Sequence, residues 1–316
     1  MSLPVLRAML AALLAVCILG GCVRQGGGQA GGRPPGAATG IAGCSLGPTG
    51  ALKTRTVQAA GRDPVQSRNY QLYVPPGVNA HSRLPLLVSL HGLGANGSIQ
   101  NAATSWSSFD DGAAADGSGF LLALPNGYKD LWYWGAEDSY DVRFLFQMIS
   151  QLQDSGCVDP TRIYVDGWSE GAYMAQRMAC ASGDPGADPQ GIALAAVHAY
   201  AGGDPIVFGP CAAQASSAPP RILISQGLDD QVIDPQQVAF PAFQAWGGRY
   251  SCAPVSASFA GAQQLSGCRN ETRVDWWPIR GFGHLTWSCP GDRYWHDRGI
   301  WAFLSRGVAP TTTTCS

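Results

Sequence analysis

The sequence predicts an α/β fold in which a mostly parallel central sheet is covered by helices on both faces. Short apolar runs such as LPLLVSL alternate along the chain with segments such as DVRFLFQMISQL, whose apolar side chains recur at helical spacing. This alternation is typical of parallel strands joined by helical crossovers, and a strand that is apolar throughout is buried on both faces of its sheet. The sequence shows no internal repeat and no sign of a second folded domain.

The predicted strands and helices alternate from about residue 53 to residue 304. The strands are expected at residues 53–59, 70–74, 84–90, 120–124, 162–165, 192–197, 221–225 and 272–279. The helices are expected at residues 98–115, 141–152, 170–180, 236–246 and 294–304. Asp141 is expected to cap the second helix, and Pro241 to kink or restart the fourth.

The first 43 residues predict an export signal and a tether rather than part of the fold. Arg7 precedes an apolar run, residues 9–19, that is shorter than the ~20 residues of a membrane span and suits a signal peptide of residues 1–21. The run ends in Leu-Gly-Gly-Cys, which resembles a bacterial lipoprotein box with Cys22 as the lipid acceptor. An ordinary signal peptide cleaved elsewhere is the alternative, so the protein is expected to be lipid-anchored at the cell envelope or secreted.

The remaining chain divides into a flexible segment and one domain. Residues 22–43 are rich in Gly and Pro and predict a tether, whereas residues 44–316 can form a single large α/β domain. No second hydrophobic segment is long enough to span a bilayer, so membrane contact is expected only through the lipid anchor.

Composition excludes several classes of partner and cofactor. The formal net charge is −2 and no block of Lys or Arg occurs, so nucleic acid is not expected as a partner. Of the ten cysteines, Cys17 lies in the signal and Cys22 at the lipid site, and the even number that remains predicts disulfides in an exported chain. No Cys or His pair has the spacing of a zinc site, so neither a metal nor another cofactor is expected.

The segment GWSEG at residues 167–171 is the strongest candidate for catalysis. It lies between a predicted strand (RIYVD) and a predicted helix (EGAYMAQRMAC), the setting of the nucleophile elbow of α/β-hydrolases. In such an elbow the serine has a strained backbone, and glycines two residues before and after it avoid collisions. Ser169 would then lie at a helix N-terminus, which favours negative charge. The alternative is that Ser169 is merely a turn residue, since G-x-S-x-G also arises by chance.

A nucleophilic serine requires a base, and in α/β-hydrolases the acid and then the histidine follow it along the chain. His284 lies directly after the last predicted strand and before the last helix, so it is expected at the same sheet edge as Ser169. Among the other histidines, His81 and His296 are expected on the surface and His198 in the core. His91 precedes a glycine turn and is a candidate for the substrate cleft.

The acid is expected one strand before the histidine. The segment GLDDQVI follows the predicted strand RILIS and offers Asp229 and Asp230, of which only one can accept from the imidazole. The other is expected to cap the turn. The acid holds His284 in the correct tautomer and stabilises its cationic form.

The oxyanion of the transition state requires backbone donors near the nucleophile. One is the N–H of Glu170, directly after Ser169, and the other is expected from Leu93 in the loop after the third strand. Glycines at 92 and 94 would let that loop approach the substrate closely.

With these motifs, the chain resembles the esterase family that contains feruloyl esterases, acetylxylan esterases and extracellular poly(3-hydroxybutyrate) depolymerases. It looks especially like the lipoprotein members known as LpqC-type, within the carbohydrate esterase family 1-like α/β-hydrolases. The likeness runs from about residue 70 to 304, and its matching segments are LPLLVSLHGLG, CVDPTRIYVDGWSEGAYMAQRMAC, RILISQGLDDQVI and GFGHLTWSCPG. The family pattern G-x-x-D-x-x-V assigns the acid to Asp230. The chain departs from the pattern around Trp287 and Cys289.

Two disulfides are expected. Cys157 precedes the strand that leads to Ser169 and Cys180 ends the helix that leaves it, so topology makes a 157–180 bridge plausible. The cysteines in GRYSCAP and SGCRN are similar to those of the family, and a 252–268 bridge is also expected. Cys44, Cys211, Cys289 and Cys315 are left unassigned.

The expected mechanism is two-step acyl transfer from the ester to Ser169 and then to water, and the resemblance implies small or oligomeric esters of plant cell-wall or hydroxyalkanoate type as substrates. A monomer is expected. Trp168, Trp134 and Trp287 are candidates for the substrate cleft, and packing is the alternative for these and for Trp106 and Trp132. Two other functions remain open: a peptidase on the same fold, and a non-catalytic surface-binding lipoprotein.

Overall fold

The computed structural model of the protein describes residues 43–59, 63–114, 119–133, 140–203, 211, 218–253 and 258–315. Gly43–Ser316 forms one unit. The expected signal peptide, the lipid-acceptor Cys22 and nearly all of the expected tether lie outside the described residues. Within those ranges, none of the helices combines the length and the apolar character that crossing a bilayer requires.

The described strands form one nine-stranded sheet. Their bounds are β1 Lys53–Gln58, β2 Ser67–Tyr73, β3 Leu84–Leu90, β4 Leu121–Pro125, β5 Val158–Trp168, β6 Ala196–Tyr200, β7 Arg221–Gly227, β8 Gln263–Leu265 and β9 Val274–Ile279. Their order in the sheet is β1-β2-β4-β3-β5-β6-β7-β9-β8. The six central strands, from β4 to β9, are parallel, and β1, β2 and β8 are antiparallel to their neighbours. The predicted α/β fold with a mostly parallel sheet is therefore confirmed.

The helices connect these strands. Their bounds are α1 Gly97–Thr104, α2 Trp106–Ala114, α3 Tyr140–Asp154, α4 Glu170–Ala181, α5 Phe240–Arg249 and α6 Trp295–Arg306. A π-helical turn, Pro235–Ala239, leads into α5, and a short 3-10 turn, Arg269–Glu271, precedes β9.

Alternation along the strands divides the core between the two faces of the sheet. In β5, Ile163 and Val165 pack into the same apolar cluster as Met174 of α4. Tyr164, between them, points to the other face, where its ring lies 5.8 Å from that of Trp301 in α6. Each face of the sheet thus buries its apolar side chains against a different set of helices. This removal of apolar surface from water is the main favourable contribution to folding.

The structure tests three local predictions about the helices. The single helix expected over residues 98–115 is two helices, because Ser105 takes a left-handed conformation with φ 59° and ends α1. Pro241 lies in the first turn of α5, where its missing N–H costs no hydrogen bond. The expected capping role of Asp141 is wrong, since Asp141 lies inside α3 and its buried carboxylate accepts from Arg68 and from the Tyr133 N–H.

The described residues contain four disulfides: Cys44–Cys157, Cys180–Cys211, Cys252–Cys268 and Cys289–Cys315. The 252–268 pair is the one that the sequence led us to expect. The expected 157–180 bridge is wrong, because each cysteine has a nearer partner from a segment outside the sheet and helices. The Cα atoms of Cys44 and Cys157 are 4.3 Å apart, and those of Cys180 and Cys211 are also 4.3 Å apart.

Candidate active site

Three parallel strands carry the candidate catalytic side chains to one edge of the sheet. Ser169 directly follows β5, Asp230 lies in the turn after β7, and His284 lies in the loop after β9. The carboxyl ends of parallel strands share one edge, so residues far apart in sequence become neighbours there. The structure brings all three together as the sequence led us to expect.

The three side chains form a continuous hydrogen-bonded line. His284 Nε2 lies 2.9 Å from Ser169 Oγ, and His284 Nδ1 lies 2.9 Å from Asp230 Oδ2. Because a carboxylate can only accept, Nδ1 carries the proton and Nε2 is free to accept from the serine hydroxyl. Ser169 is partly exposed, so a substrate can reach its oxygen.

The turn that presents Ser169 requires its two glycines. Ser169 has φ 57° and ψ −118°, a conformation that L residues rarely adopt, and its N–H donates to the Tyr200 carbonyl at 2.9 Å. A Cβ atom on Gly167 would lie 2.1 Å from the carbonyl oxygen of Gly171, and one on Gly171 would lie 2.3 Å from that of Leu90. Neither position can accept a side chain without moving the backbone.

The acid is distinguished from its neighbour by burial. Asp230 is buried, whereas Asp229 is exposed. Asp230 Oδ2 also accepts from Gln226 Nε2 at 2.8 Å, while Oδ1 accepts the N–H groups of Val232 and Ile233. The expectation that the other aspartate caps the turn is therefore wrong, because one carboxylate both caps the turn and bonds the imidazole.

The hydrogen bonds of Asp230 keep it ionised. Burial by itself would raise the pKa of this carboxyl, but the bonds from His284, Ile233 and Val232 and the attraction of the imidazolium outweigh it. The net result is a pKa below the ordinary value. A negative charge is therefore present behind His284 throughout the neutral range.

The expected oxyanion donors lie at the start of α4, directly after the turn of Ser169, and in the loop after β3, and these two segments meet at Ser169. Glu170 opens α4, so its N–H has no carbonyl one turn earlier in that helix. In the loop after β3, the Gly94 N–H donates to the Asp130 backbone carbonyl at 2.9 Å, whereas the Leu93 N–H donates to no backbone carbonyl of the described residues. A Cβ atom on Gly92 would lie 3.3 Å from the Ser169 Cβ, which shows how closely the two loops approach.

The side chain of Glu170 points away from solvent. It is buried, and burial raises its pKa to about 8, although a hydrogen bond from the Trp132 backbone acts in the opposite direction. This carboxyl is therefore largely protonated near neutral pH and adds little negative charge next to the site where an oxyanion would form.

His91 is not a cleft residue, which corrects the expectation from the sequence. It is fully buried, its Nδ1 donates to the Gly92 carbonyl at 2.8 Å, and its Nε2 accepts the Gly127 N–H at 3.0 Å. Its ring packs on Trp132, whose indole donates to the His91 carbonyl at 2.8 Å. Burial lowers the pKa of His91, which therefore acts as a neutral clamp between the Gly127 segment and the loop that carries Leu93.

The tryptophan candidates divide into one residue at the site and others in the core. Trp168 is partly exposed and its indole donates to the His284 carbonyl at 2.9 Å. Trp287 is buried with its ring 5.1 Å from that of Tyr200, so its expected place in the cleft is wrong and it packs under the His284 loop. Trp106 and Trp132 are buried, whereas Trp134 lies outside the described residues.

Of the other histidines, His81 is exposed and His198 is in the core, as the sequence indicated. The expected surface position of His296 is wrong. His296 is fully buried among aromatic rings, with Tyr200 at 4.9 Å and Trp277 at 5.1 Å. Burial lowers its pKa well below the ordinary value, so the ring is neutral.

A second set of Ser, His and Asp lies inside the sheet. His198 Nδ1 lies 2.7 Å from Asp166 Oδ1, and His198 Nε2 lies 2.7 Å from Ser225 Oγ. All three residues are fully buried, and Asp166 Oδ2 also accepts from Ser89 and Trp106. With no exposed atom, this set (the buried triad) joins β5, β6 and β7 and is closed to substrate.

Sequence reasoning missed two residues that contact the site. Gln226 bonds Asp230, and the Tyr200 hydroxyl lies 2.8 Å from the Gly283 carbonyl next to His284. Both are at the carboxyl ends of parallel strands, β7 and β6. A position one to three residues beyond a predicted strand (221–225 for Gln226 and 192–197 for Tyr200) was the available signal, since functional residues of this sheet type gather there.

The chain is similar in sequence to known esterases. It is 28% identical over 184 residues to the bifunctional acetylxylan esterase/xylanase XynS20E of Neocallimastix patriciarum, an alignment that covers 58% of this chain and 24% of that protein. It is 26% identical over 234 residues to feruloyl esterase B of Piromyces equi, covering 66% of this chain and 41% of that protein. The chain thus spans less than half the length of these relatives. No protein-family model matches it.

Solved structures of hydrolases share the fold. An acetyl xylan esterase from Aspergillus awamori superposes with a TM-score of 0.58 at 16% identity, covering 80% of this chain and 98% of that chain. LpqC, a poly(3-hydroxybutyrate) depolymerase from Bordetella parapertussis, superposes with a TM-score of 0.50 at 15% identity, covering 83% and 92%. At this identity the likeness concerns the arrangement of strands and helices.

Proposed function

We propose that this chain, which shares its fold with hydrolases of known structure and is similar in sequence to feruloyl and acetylxylan esterases, is a serine carboxylic ester hydrolase of the α/β-hydrolase class. Ser169 is the nucleophile, His284 the general base and Asp230 the acid that orients it. The observation that supports this proposal is the line from Ser169 Oγ through His284 to Asp230, with two separations of 2.9 Å at the accessible edge of the sheet.

The reaction proceeds by two acyl transfers. His284 Nε2 takes the Ser169 proton as the oxygen attacks the ester carbonyl, and the resulting imidazolium is stabilised by Asp230. The tetrahedral oxyanion rests on the N–H groups of Leu93 and Glu170. The intermediate then collapses, the alcohol leaves with the proton held by His284, and an acyl-Ser169 ester remains. Water, deprotonated by the same imidazole, releases the carboxylic acid and restores the serine.

The names of the relatives and the side chains at the rim of the site support a proposal on the substrate class. The relatives' names specify feruloyl and acetylxylan esterases, and a structural neighbour is a poly(3-hydroxybutyrate) depolymerase. Large apolar side chains are exposed next to the catalytic loops: Leu93 at 49%, Val232 at 47% and Leu285 at 74%. Such side chains favour contact with apolar acyl groups, so we assign feruloyl or acetylxylan esters, or hydroxyalkanoate oligomers, as substrates.

Export is part of the proposal. Four disulfides support an oxidising compartment outside the cytoplasm. The Leu-Gly-Gly-Cys sequence supports lipid attachment at Cys22. Labelling with a palmitate analogue during expression in a bacterial host should mark the wild type and not Cys22→Ala, and equal labelling of both would contradict the anchor.

The test of activity is hydrolysis of p-nitrophenyl acetate by the wild type, Ser169→Ala and Ser225→Ala. The first variant removes the proposed nucleophile, and the second removes the serine of the buried triad as a matched control. We expect the hydrolysis rate of Ser169→Ala to equal the rate in buffer alone, and we expect this variant not to be labelled by a fluorophosphonate. Folded Ser225→Ala should keep both the hydrolysis and the labelling. An equal rate for the wild type and Ser169→Ala would overturn the assignment.

A substrate panel then separates the ester classes from peptides. Methyl ferulate, acetylated xylan and hydroxybutyrate oligomers test the acyl preference, and dipeptide p-nitroanilides test peptidase activity. Hydrolysis of the anilides without hydrolysis of any ester would replace the esterase proposal by a peptidase on the same fold.

A further inference from the structure

Trp168 links the nucleophile elbow to the loop that carries the proposed base. It directly precedes Ser169, and its indole Nε1 donates to the backbone carbonyl of His284 at 2.9 Å. On its other side, a Cβ atom on Gly92 would lie 3.1 Å from the indole ring, so the ring also packs against the loop of Leu93. The Trp168 side chain therefore contacts both the His284 loop and the loop that carries Leu93.

Tyr200 makes a parallel link from the neighbouring strand. Its backbone carbonyl accepts the Ser169 N–H at 2.9 Å, while its hydroxyl lies 2.8 Å from the Gly283 carbonyl and 3.0 Å from the Thr286 carbonyl. The hydroxyl carries one proton, which the two carbonyl oxygens share. Tyr200 is fully buried and its pKa is raised by burial, so the hydroxyl stays protonated and remains a donor.

These two residues are direct partners in the sheet. Trp168 at the end of β5 pairs with Tyr200 at the end of β6, and both side chains lie on the same face. Together they donate to the carbonyls of Gly283, His284 and Thr286. The same loop is also held by the Asp229 N–H, which donates to the Phe282 carbonyl at 2.9 Å, whereas the contacts between Gly283 and Thr286 are internal to the loop.

We propose that Trp168 and Tyr200 are positioning residues that set the distance between Ser169 Oγ and His284 Nε2. This inference rests on the proposed esterase function. Two hydrogen-bond donors on adjacent rigid strands hold the carbonyls of the loop, so the imidazole approaches the hydroxyl at 2.9 Å without needing the substrate to order it. Neither side chain exchanges a proton with the substrate.

The test uses conservative substitutions that remove only the donors. Tyr200→Phe deletes the hydroxyl, and Trp168→Phe deletes the indole N–H while keeping an aromatic ring. Trp276→Phe is the matched control for the latter, because Trp276 is buried on the opposite face and its indole donates to the Phe259 carbonyl at 2.8 Å. Tyr250→Phe is the control for the former, as a buried tyrosine of α5's C-cap.

We expect kcat for p-nitrophenyl butyrate to fall about 10-fold to 100-fold in each test variant, with KM within about twofold, because a displaced base slows chemistry and leaves binding intact. The controls should keep kcat. The same substitutions are then made in a His284→Ala variant, with the rate of Ser169→Ala as the background rate. There Trp168→Phe and Tyr200→Phe should lower kcat no further, since both act through His284. Thermal unfolding measured alongside separates loss of fold from loss of turnover.

The outcomes distinguish the two proposals. An active wild type whose Tyr200→Phe and Trp168→Phe variants keep kcat within twofold would overturn the positioning role and leave the esterase function intact. The positioning role would also be overturned if Trp168→Phe and Tyr200→Phe lowered kcat as much in the His284→Ala variant as in the wild type. A wild type that hydrolyses no ester would overturn the proposed function, and the positioning role with it.

Discussion

Asp230 Oδ2 lies 2.9 Å from Nδ1 of His284, on the far side of the imidazole from Ser169. The other oxygen of the same carboxylate accepts two backbone N–H groups of its own turn, from Val232 and Ile233. The turn therefore holds the carboxylate in place independently of the imidazole. One residue serves as both the cap of the turn and the acid that orients His284.

Replacement of Asp230 by Asn should lower kcat/KM by about 10³-fold to 10⁴-fold, because an amide no longer holds the Nδ1–H tautomer of His284 or stabilises the imidazolium. Asp229→Asn, at the exposed neighbouring position, should stay within about twofold of the wild type. Steady-state hydrolysis of p-nitrophenyl acetate measures both, with circular dichroism to verify folding. Equal losses in the two variants would contradict the assignment of the acid.

Glu170→Gln should change how stability depends on pH. The pKa of this carboxyl is raised to about 8 in the folded protein, above the unfolded value of about 4.3. Between these values the folded state binds the additional proton, so the stability contributed by protonated Glu170 is complete below about pH 4 and is lost as the pH rises towards 8. Glutamine keeps the neutral form at every pH.

We therefore expect Glu170→Gln to match the wild type at pH 4 and to unfold at a higher temperature than the wild type at pH 9, by a few degrees. Differential scanning calorimetry at several pH values gives the difference. Because other buried carboxyls such as Asp110 and Asp275 also have raised pKa values, the difference between the variants, rather than either curve alone, is the diagnostic quantity. A constant difference across pH would show that Glu170 does not titrate in this range.

His198→Ala should destabilise the protein without removing its chemistry. The substitution leaves Asp166 and Ser225 buried without their imidazole partner and adds a cavity, which together cost about 3 kcal/mol or more of unfolding free energy. Urea unfolding measures this loss, and active-site titration gives the turnover per folded molecule, which we expect to be retained. A fully folded variant with no turnover would show that the buried triad contributes to catalysis.

Removal of the Cys289–Cys315 disulfide should act on stability alone. The bridge closes a loop with a sequence separation of 26 residues, for which the loss of unfolded-state restriction is worth about 3 kcal/mol. Cys289→Ser/Cys315→Ser should lower the unfolding free energy by about this amount while kcat of the folded fraction is unchanged. A large loss of kcat at a temperature where the double variant is folded would show that the bridge holds the His284 loop.

The elements with a strong local pattern were predictable from the sequence. The apolar run of β3, Leu84–Leu90, has the predicted bounds. The elbow was predictable because its backbone leaves no room for a side chain at Gly167 and Gly171, so the glycines mark it in the sequence. By contrast, β8 is three residues long, QQL, and carries no pattern because it is an edge strand whose pairing with β9 supplies its structure. Short elements of this kind are set by tertiary contacts.

Two histidines show why side-chain positions were harder to predict. His296 is followed by the charged residues Asp297 and Arg298, yet it shares a face of α6 with Ile300 and Phe303, and that face is buried. Helical spacing was the signal that immediate neighbours obscured. His91 was expected in the cleft, but the segment of Gly127 and Trp132 covers it, and a contact between two loops leaves no local pattern.

The buried triad also bears on how such enzymes are recognised. His198 with Asp166 and Ser225 reproduces, at 2.7 Å and 2.7 Å, the atomic arrangement of His284 with its two partners. A search based on these two separations alone would return both constellations. What separates them is whether a molecule from outside can touch the hydroxyl, so solvent access has to be a criterion of any such search.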